Sequence, residues 1–291
     1  MRRSVVSVSL AALVVLIWPA TASAALPNHL PPLGTAGNYA VLGGTTITNT
    51  GPTWITGQVG LKPGTAVTGF PPGQSGHQDI NNGAALTAKN NLTNAYNDAA
   101  GQTPFTSLAV ELGGKTLTRG TYRQGTAGLT GTLILDGKGS TTGVWIFQIG
   151  STLITGASTG AVVRLVNGAQ PCDVFWQVGS SATIGTSTVF VGNIMALTTI
   201  TMNTGATLNG RAMARNGAVN LHTNRIIQPT GCGFSAPTYV APPAGNVFGA
   251  GNLGVPSELL GSFPWLLVIG FGAVVGVAAL GVSARRRRRT A

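Results

Sequence analysis

FWQVGSSATIGTSTVFVG (175–192), NIMALTTITMNTGATLNG (193–210) and RAMARNGAVNLHTNRIIQ (211–228) lie end to end, each 18 residues long. Small apolar residues open these units, hydroxyl or amide side chains fill the middle, and Gly or Asn marks the corners. A fixed period of this kind signals units that bury their apolar side only by stacking on one another. Eighteen residues suffice for one coil of a three-sided β-helix, with coils stacked at about 4.8 Å. The middle strands Ala182-Thr183-Ile184, Ile200-Thr201-Met202 and Val219-Asn220-Leu221 each read apolar–polar–apolar. In a strand the outer two residues then face the core and the middle one faces out. Thr183, Thr201 and Asn220 are expected as a column on one outer face, with Thr186, Thr204 and Thr223 as a second column. The steps are 18 and 19 residues, so one coil carries an extra residue at a corner. Threonine suits a pleated surface because its branched Cβ favours extended backbone. An ordinary solvated face would also scatter Lys, Glu and Arg, and these columns have none.

Outside the repeat, WIFQIG (145–150) and VVRLV (162–166) are further short β-branched segments. One helix interrupts the pattern. In NNGAALTAKNNLTNAYNDAAG (81–101), Ala85, Ala88, Leu92, Ala95, Tyr96 and Ala99 recur at three- and four-residue spacing. The helix is expected over about residues 82–100, capped by Asp79, Asn81 or Asn82 and ended by Gly101. Its alanine-rich stripe suits close packing along a flat sheet.

The two ends are of other kinds. Residues 1–24 read as a signal peptide: Arg2 and Arg3, an apolar run from Val5 to Ile17, and a small-residue cleavage site at Ala22-Ser23-Ala24. Residues 233–262, rich in Gly, Pro and Ala, read as a linker or stalk. Residues 263–284 carry no charge and match a transmembrane helix. Arg285 to Arg289, within the tail 285–291, are expected to stay in the cytoplasm, leaving the domain outside the cell. The GVPSELLGS stretch (254–262) is not a sortase signal, so membrane retention is expected. Seven of the 17 Lys and Arg belong to these ends, leaving ten against six acids. The exported part, folded over 27–232, therefore carries about +4 and implies no nucleic-acid partner. Cys172 and Cys232, an even pair in an oxidising compartment, suggest a disulfide closing a long loop.

Catalysis on a β-helix needs paired carboxylates, a Ca²⁺ cluster or cations poised over a groove. Asp79, Asp98, Glu111, Asp136, Asp173 and Glu258 are scattered, and His29, His77 and His222 stand alone. GQSGH (73–77) lacks the nucleophile elbow. No enzyme, metal site or cofactor is expected.

LGTAGNYAVLGGTTITNTGPTWITGQVGLKPGTAVTGFPPG (33–73), NAYNDAAG (94–101), VWIFQIGSTL (144–153), NGAQPCDVFWQVGSSATIGT (167–186) and FVGNIMALTTITMNTGATLNGRAMARNGAVNLHTN (190–224) resemble, in order and spacing, the bacterial ice-binding-like family often called DUF3494. The resemblance covers roughly residues 33–226. It implies a mostly β fold, a right-handed, discontinuous β-helix of triangular section with one long helix along a side. It also implies adsorption to ice by a flat face, by a monomeric ectodomain. Family members often carry Thr at the places taken here as Ile134 in GTLILDG and Ile154 in GSTLITG. These two are expected on the same face, as flat apolar spots without a hydroxyl. The alternative is a surface adhesin or structural rod that binds glycan or another cell-surface partner, with Trp54, Phe175 or Trp176 stacking on sugars. The region around Thr46, Thr48, Thr53 and Thr56 does not share the 18-residue register.

Overall fold

The structure, a computed structural model, describes residues 28–156 and 160–233. The expected signal peptide, most of the stalk, the membrane segment and the arginine tail lie outside the described residues. Among the described residues, no helix is long and apolar enough to cross a membrane.

Among the described residues the fold is mostly β, with parallel sheets and one α-helix. Each coil of the repeat contributes to three sides. In one coil, Asn193 to Ala196 lies on the first side, Ile200–Met202 on the second and Thr207 to Asn209 on the third. The sides meet at tight corners. At Gly192 (φ 112°) a Cβ would sit 2.8 Å from the Val174 carbonyl oxygen and 2.9 Å from Trp176 Nε1, so only glycine fits.

The coils do not stack in chain order. Tyr39–Gly43 pairs with Thr207–Ala214 on one edge and with Gln58–Leu61 on the other. The two N-terminal coils thus sit beyond the C-terminal one. The helix Gly83–Gly101 then carries the chain back along the rod to Thr106–Ser107, which pairs with Gly120–Gln124 at the far edge. At 1.5 Å per residue, a helix of 19 residues covers about six strand spacings of 4.8 Å.

The helix is specified locally and by the sheet beneath it. Asn82 is the N-cap, its side chain accepting from Ala85 N–H at 2.9 Å. Ala88, Leu92, Ala95, Tyr96 and Ala99 bury against Leu42, Met213, Met195, Phe175 and Ile146, which point outward from the first side. Further along that side the outward residues become polar. Gln177 donates to Tyr96 Oη at 2.8 Å, and Gln148 donates to the carbonyls of Ala99 and Gln102 at 2.8 and 2.9 Å. Gln148 thereby satisfies carbonyls that a helix C-terminus leaves open.

Inside the coils, Tyr122, Phe147, Trp176 and Phe190 form a ladder with ring centroids 5.6, 4.0 and 4.8 Å apart. Trp176 donates to the Val191 carbonyl at 2.9 Å and Phe175 lies under the helix, both with no exposed surface. Neither can stack on a sugar; Trp54 is half exposed. Cys172 and Cys232 are bonded, with Cα atoms 5.4 Å apart and a sequence separation of 60. Beside the disulfide, buried Arg211 donates to Asn193 Oδ1 and to the Gly37 carbonyl, both at 2.9 Å.

Candidate functional site: a bare sheet face

The second side is a seven-stranded parallel sheet with no helix over it among the described residues. Its order is Ala127–Leu129, Leu153–Thr155, Ala182–Ile184, Ile200–Met202, Val219–His222, Thr46–Thr50 and Ala66–Thr68. Strand pairing aligns the outward residues in one column: Gly128, Ile154, Thr183, Thr201, Asn220, Thr48 and Thr68. Their flanking residues, among them Leu153, Ala182, Ile184, Ile200, Met202, Val219 and Ile47, are buried. Two residues earlier, at or just before the start of six of these strands, a second outward column carries Thr152, Ser181, Thr199, Ala218, Thr46 and Ala66. Neighbours within a column repeat at about 4.8 Å, and the columns lie about 6.7 Å apart.

Hydrogen bonds between neighbouring hydroxyl and amide groups restrain this surface. Thr48 Oγ1 donates to Asn220 Oδ1 at 2.9 Å, and Ser181 Oγ lies 2.7 Å from Thr198 Oγ1. Below it, buried Thr155 Oγ1 accepts from Gly185 N–H at 2.7 Å and contacts Thr188 Oγ1 at 2.9 Å. Neither outward column contains Asp, Glu, Lys or Arg. The face's titratable neighbours stand at the margins: His222, exposed at a strand end opposite Thr50, and Glu111, exposed and bridged to Gly128 at the sheet's edge.

Apart from Glu111, the charged groups with altered titration lie elsewhere. Burial and then nearby Arg215 push Lys89 down to about 7, under the helix. Burial pushes Asp173 up to about 6 near the disulfide. The Lys138 backbone N–H, then Asn167, hold Asp136 at about 2. Among the described residues no three His, Cys, Asp or Glu side chains gather as metal ligands. The bare face offers a wide array of hydroxyl and methyl groups and no acid–base pair, a surface suited to adsorption rather than chemistry.

The structure redistributes part of the expected site. Thr183, Thr201 and Asn220 stand in register as adjacent outward residues. Thr186, Thr204 and Thr223 lie past the strand ends, in the corner turns, and Thr223 has φ 48°. They border the flat face and do not form a strand column on it. Ile154 is in the main column, 54% exposed. Ile134 is not: it pairs with Arg164 and Thr116 in the other sheet, on the third side. Its motif GTLILDG matches GSTLITG as a string, but hydrogen bonding puts the two segments on different sides, and Gly128 stands beside Ile154. Thr46, Thr48 and Thr68 were not expected on this face. Their only local signal is the alternation in TITNT (46–50), because their strand partners lie at the far end of the chain.

Residues 41–227 match the model of the Ice-binding-like family. An ice-binding protein of Nostoc sp. (strain HG1) is 47% identical over 198 residues, spanning 67% of this chain and 72% of that protein. One from Flavobacterium frigoris (strain PS1) is 38% identical, over 68% of this chain and 76% of its own. Among solved structures, an ice binding protein from an Antarctic biological consortium superimposes with a TM-score of 0.67 at 42% identity. That match covers 72% of this chain and 95% of the other. An ice-binding protein of the Antarctic ascomycete Antarctomyces psychrotrophicus gives 0.65 at 38% identity, covering 68% and 97%. The fold of the described residues is that of these ice-binding solenoids, and the family is one of ice-binding proteins, not enzymes. On both sequence and architecture, this chain belongs to the ice-binding-like family.

Proposed function

We propose that this chain is an exported, membrane-anchored ice-binding protein that adsorbs to ice through the bare face. The observation that carries the reading is the seven-stranded sheet whose two outward columns hold hydroxyl, amide and apolar side chains and no charge. Such a surface can order water at the strand repeat and merge that water with a lattice. Binding a rigid lattice penalises groups that must be ordered first. A Lys or Arg loses about 1.5–2 kcal/mol of rotamer freedom when fixed, whereas Thr is already stiff about χ1. A charged group would also impose its own hydration shell. The winding is taken as right-handed, like nearly all parallel crossovers, and the ectodomain as a monomer.

Residues 263–284, followed at once by five arginines, support a membrane anchor with the domain outside the cell. Fractionation checks this part: the full chain partitions with the membrane, and recovery with the wall fraction overturns it.

The ice reading is tested on a single crystal grown in the purified protein just below the melting point. Faceted growth and a gap between melting and freezing are expected, and Thr201→Tyr abolishes both. Round, unhindered growth at saturating wild-type protein overturns ice binding. Faceting that persists in Thr201→Tyr moves the contact to another face.

A further inference from the structure

The third side differs from the bare one in every respect that matters for recognition. Val162, Val189, Thr207, Arg225 and Trp54 form one outward column in strand register. Val189 is 46% and Trp54 51% exposed. The indole is not on a loose loop: the backbone N–H of Trp54 donates to the Asn224 carbonyl at 2.8 Å, and that of Ile55 to the Gln74 carbonyl at 2.9 Å. Arg225 and Arg164 are exposed, and neither has an ion-pair partner among the described residues. Among the described residues the side's one carboxylate, Asp136, is buried and occupied by Lys138 and Asn167.

We infer that this side is a docking surface for an acidic, uronate-bearing polysaccharide, read by Trp54 and Arg225. A uronate offers two features on one ring: an apolar C–H face and a carboxylate. An indole stacks on the first, and a guanidinium takes the second through two parallel N–H···O bonds. Trp54 and Arg225 are register partners on adjacent strands, about 4.8 Å apart, so one sugar can meet both. Arg164 supplies a further positive charge along the rod, and with no free carboxylate opposing it the side is complementary to a polyanion. The same charges disqualify it as an ice surface, so two ligands are separated on two sides of one solenoid.

The test uses the purified full-length protein on immobilised alginate, with neutral dextran as control, at low and high salt. Retention on alginate alone, weakened by salt, is expected. Trp54→Ala reduces affinity roughly tenfold, Trp54→Phe retains most of it, and Arg225→Glu loses at least as much as the alanine variant. Thr201→Tyr keeps alginate binding while losing ice shaping, so this inference and the ice reading fail separately. Equal retention on dextran, or affinity unchanged in both Trp54→Ala and Arg225→Glu, overturns the proposal. So does loss in Arg225→Glu alone together with equal binding to phosphatidylserine vesicles, which shows plain charge attraction to a lipid surface.

Discussion

The covered side and the bare side are cut from the same coils, yet one is sealed by a helix and the other is open. The difference lies in what each coil turns outward. Toward the helix it presents Leu42, Met213, Met195, Phe175 and Ile146, side chains that gain by leaving water. On the other side, one corner later, it presents Thr48, Asn220, Thr201 and Thr183. Stacking serves both sides equally, because the backbone ladder and the inward residues supply it. The outward residues are therefore free to specify whether a surface recruits a helix or stays available to a ligand. A solenoid can separate structure from function in this way because its three sides share a core and little else.

The largest effect expected from breaking this contrast is on the covered side. Phe175 is fully buried beneath the helix, and Phe175→Ala should cost about 3–5 kcal/mol. That is a large part of a typical domain's stability. Denaturant unfolding measures it, and ice shaping per folded molecule should be unchanged. The mirror-image substitution is Thr201→Tyr on the bare side. Unfolding should move by no more than about 0.5 kcal/mol, as for a surface change, while ice shaping disappears. A variant that lost stability and ice shaping together on either side would show that the two sides are coupled.

The outward repeat at Thr183, Thr201 and Asn220 was legible because the three coils are consecutive in sequence and one corner insertion is easily counted. The helix was legible from its alanine period, and the choice of Asn82 among three capping candidates needed coordinates. What could not be read is the stacking order. Thr48 and Asn220 hydrogen-bond across 172 residues, and no local pattern announces such a contact. Ile134 shows the complementary failure. All three sides of a coil use short apolar–polar strands, so matching strings do not identify matching sides. The corner threonines, Thr186, Thr204 and Thr223, obey the same period as the strand residues because a whole coil repeats. Periodicity alone cannot separate a corner from a face.

A smaller effect tests how the helix is held. Lys89 Nζ donates to the carbonyls of Ala214 and Arg215 at 2.5 and 2.6 Å, tying the helix to the sheet. Its folded pKa is depressed from 10.5 to about 7, chiefly by burial. Between these values the unfolded chain holds the proton and the folded chain releases it, so stability rises with pH across that window and is lost as pH falls through about 7. Releasing the proton costs no hydrogen bond, since a neutral amine keeps two N–H groups for two carbonyls. Buried tyrosines oppose the trend only near and above pH about 10. Thermal melts should therefore climb by about a few degrees between neutral pH and mildly alkaline pH, and Lys89→Met should flatten that slope. A slope equal to the wild type's in Lys89→Met would remove Lys89 as its source.

The smallest change sharpens the account of the bare side itself. Ile154 stands at the end of the hydroxyl row, between Gly128 and Thr183, more than half exposed. Ile154→Thr keeps the branched Cβ and its stiff χ1 and buries nothing new, so unfolding should stay within about 0.5 kcal/mol. The substitution lengthens the hydroxyl row by one strand without altering its spacing. If ordered water anchored by hydroxyls is what meets the lattice, the gap between melting and freezing at equal concentration should widen slightly. Thr183→Ile, which shortens the row from the same end, should narrow it by more, because it also opens an apolar break beside Thr201. If Ile154→Thr instead narrows the gap, the methyl surface at that strand is itself part of the contact. The bare side would then work by alternating apolar and hydroxyl patches rather than by a continuous hydroxyl row.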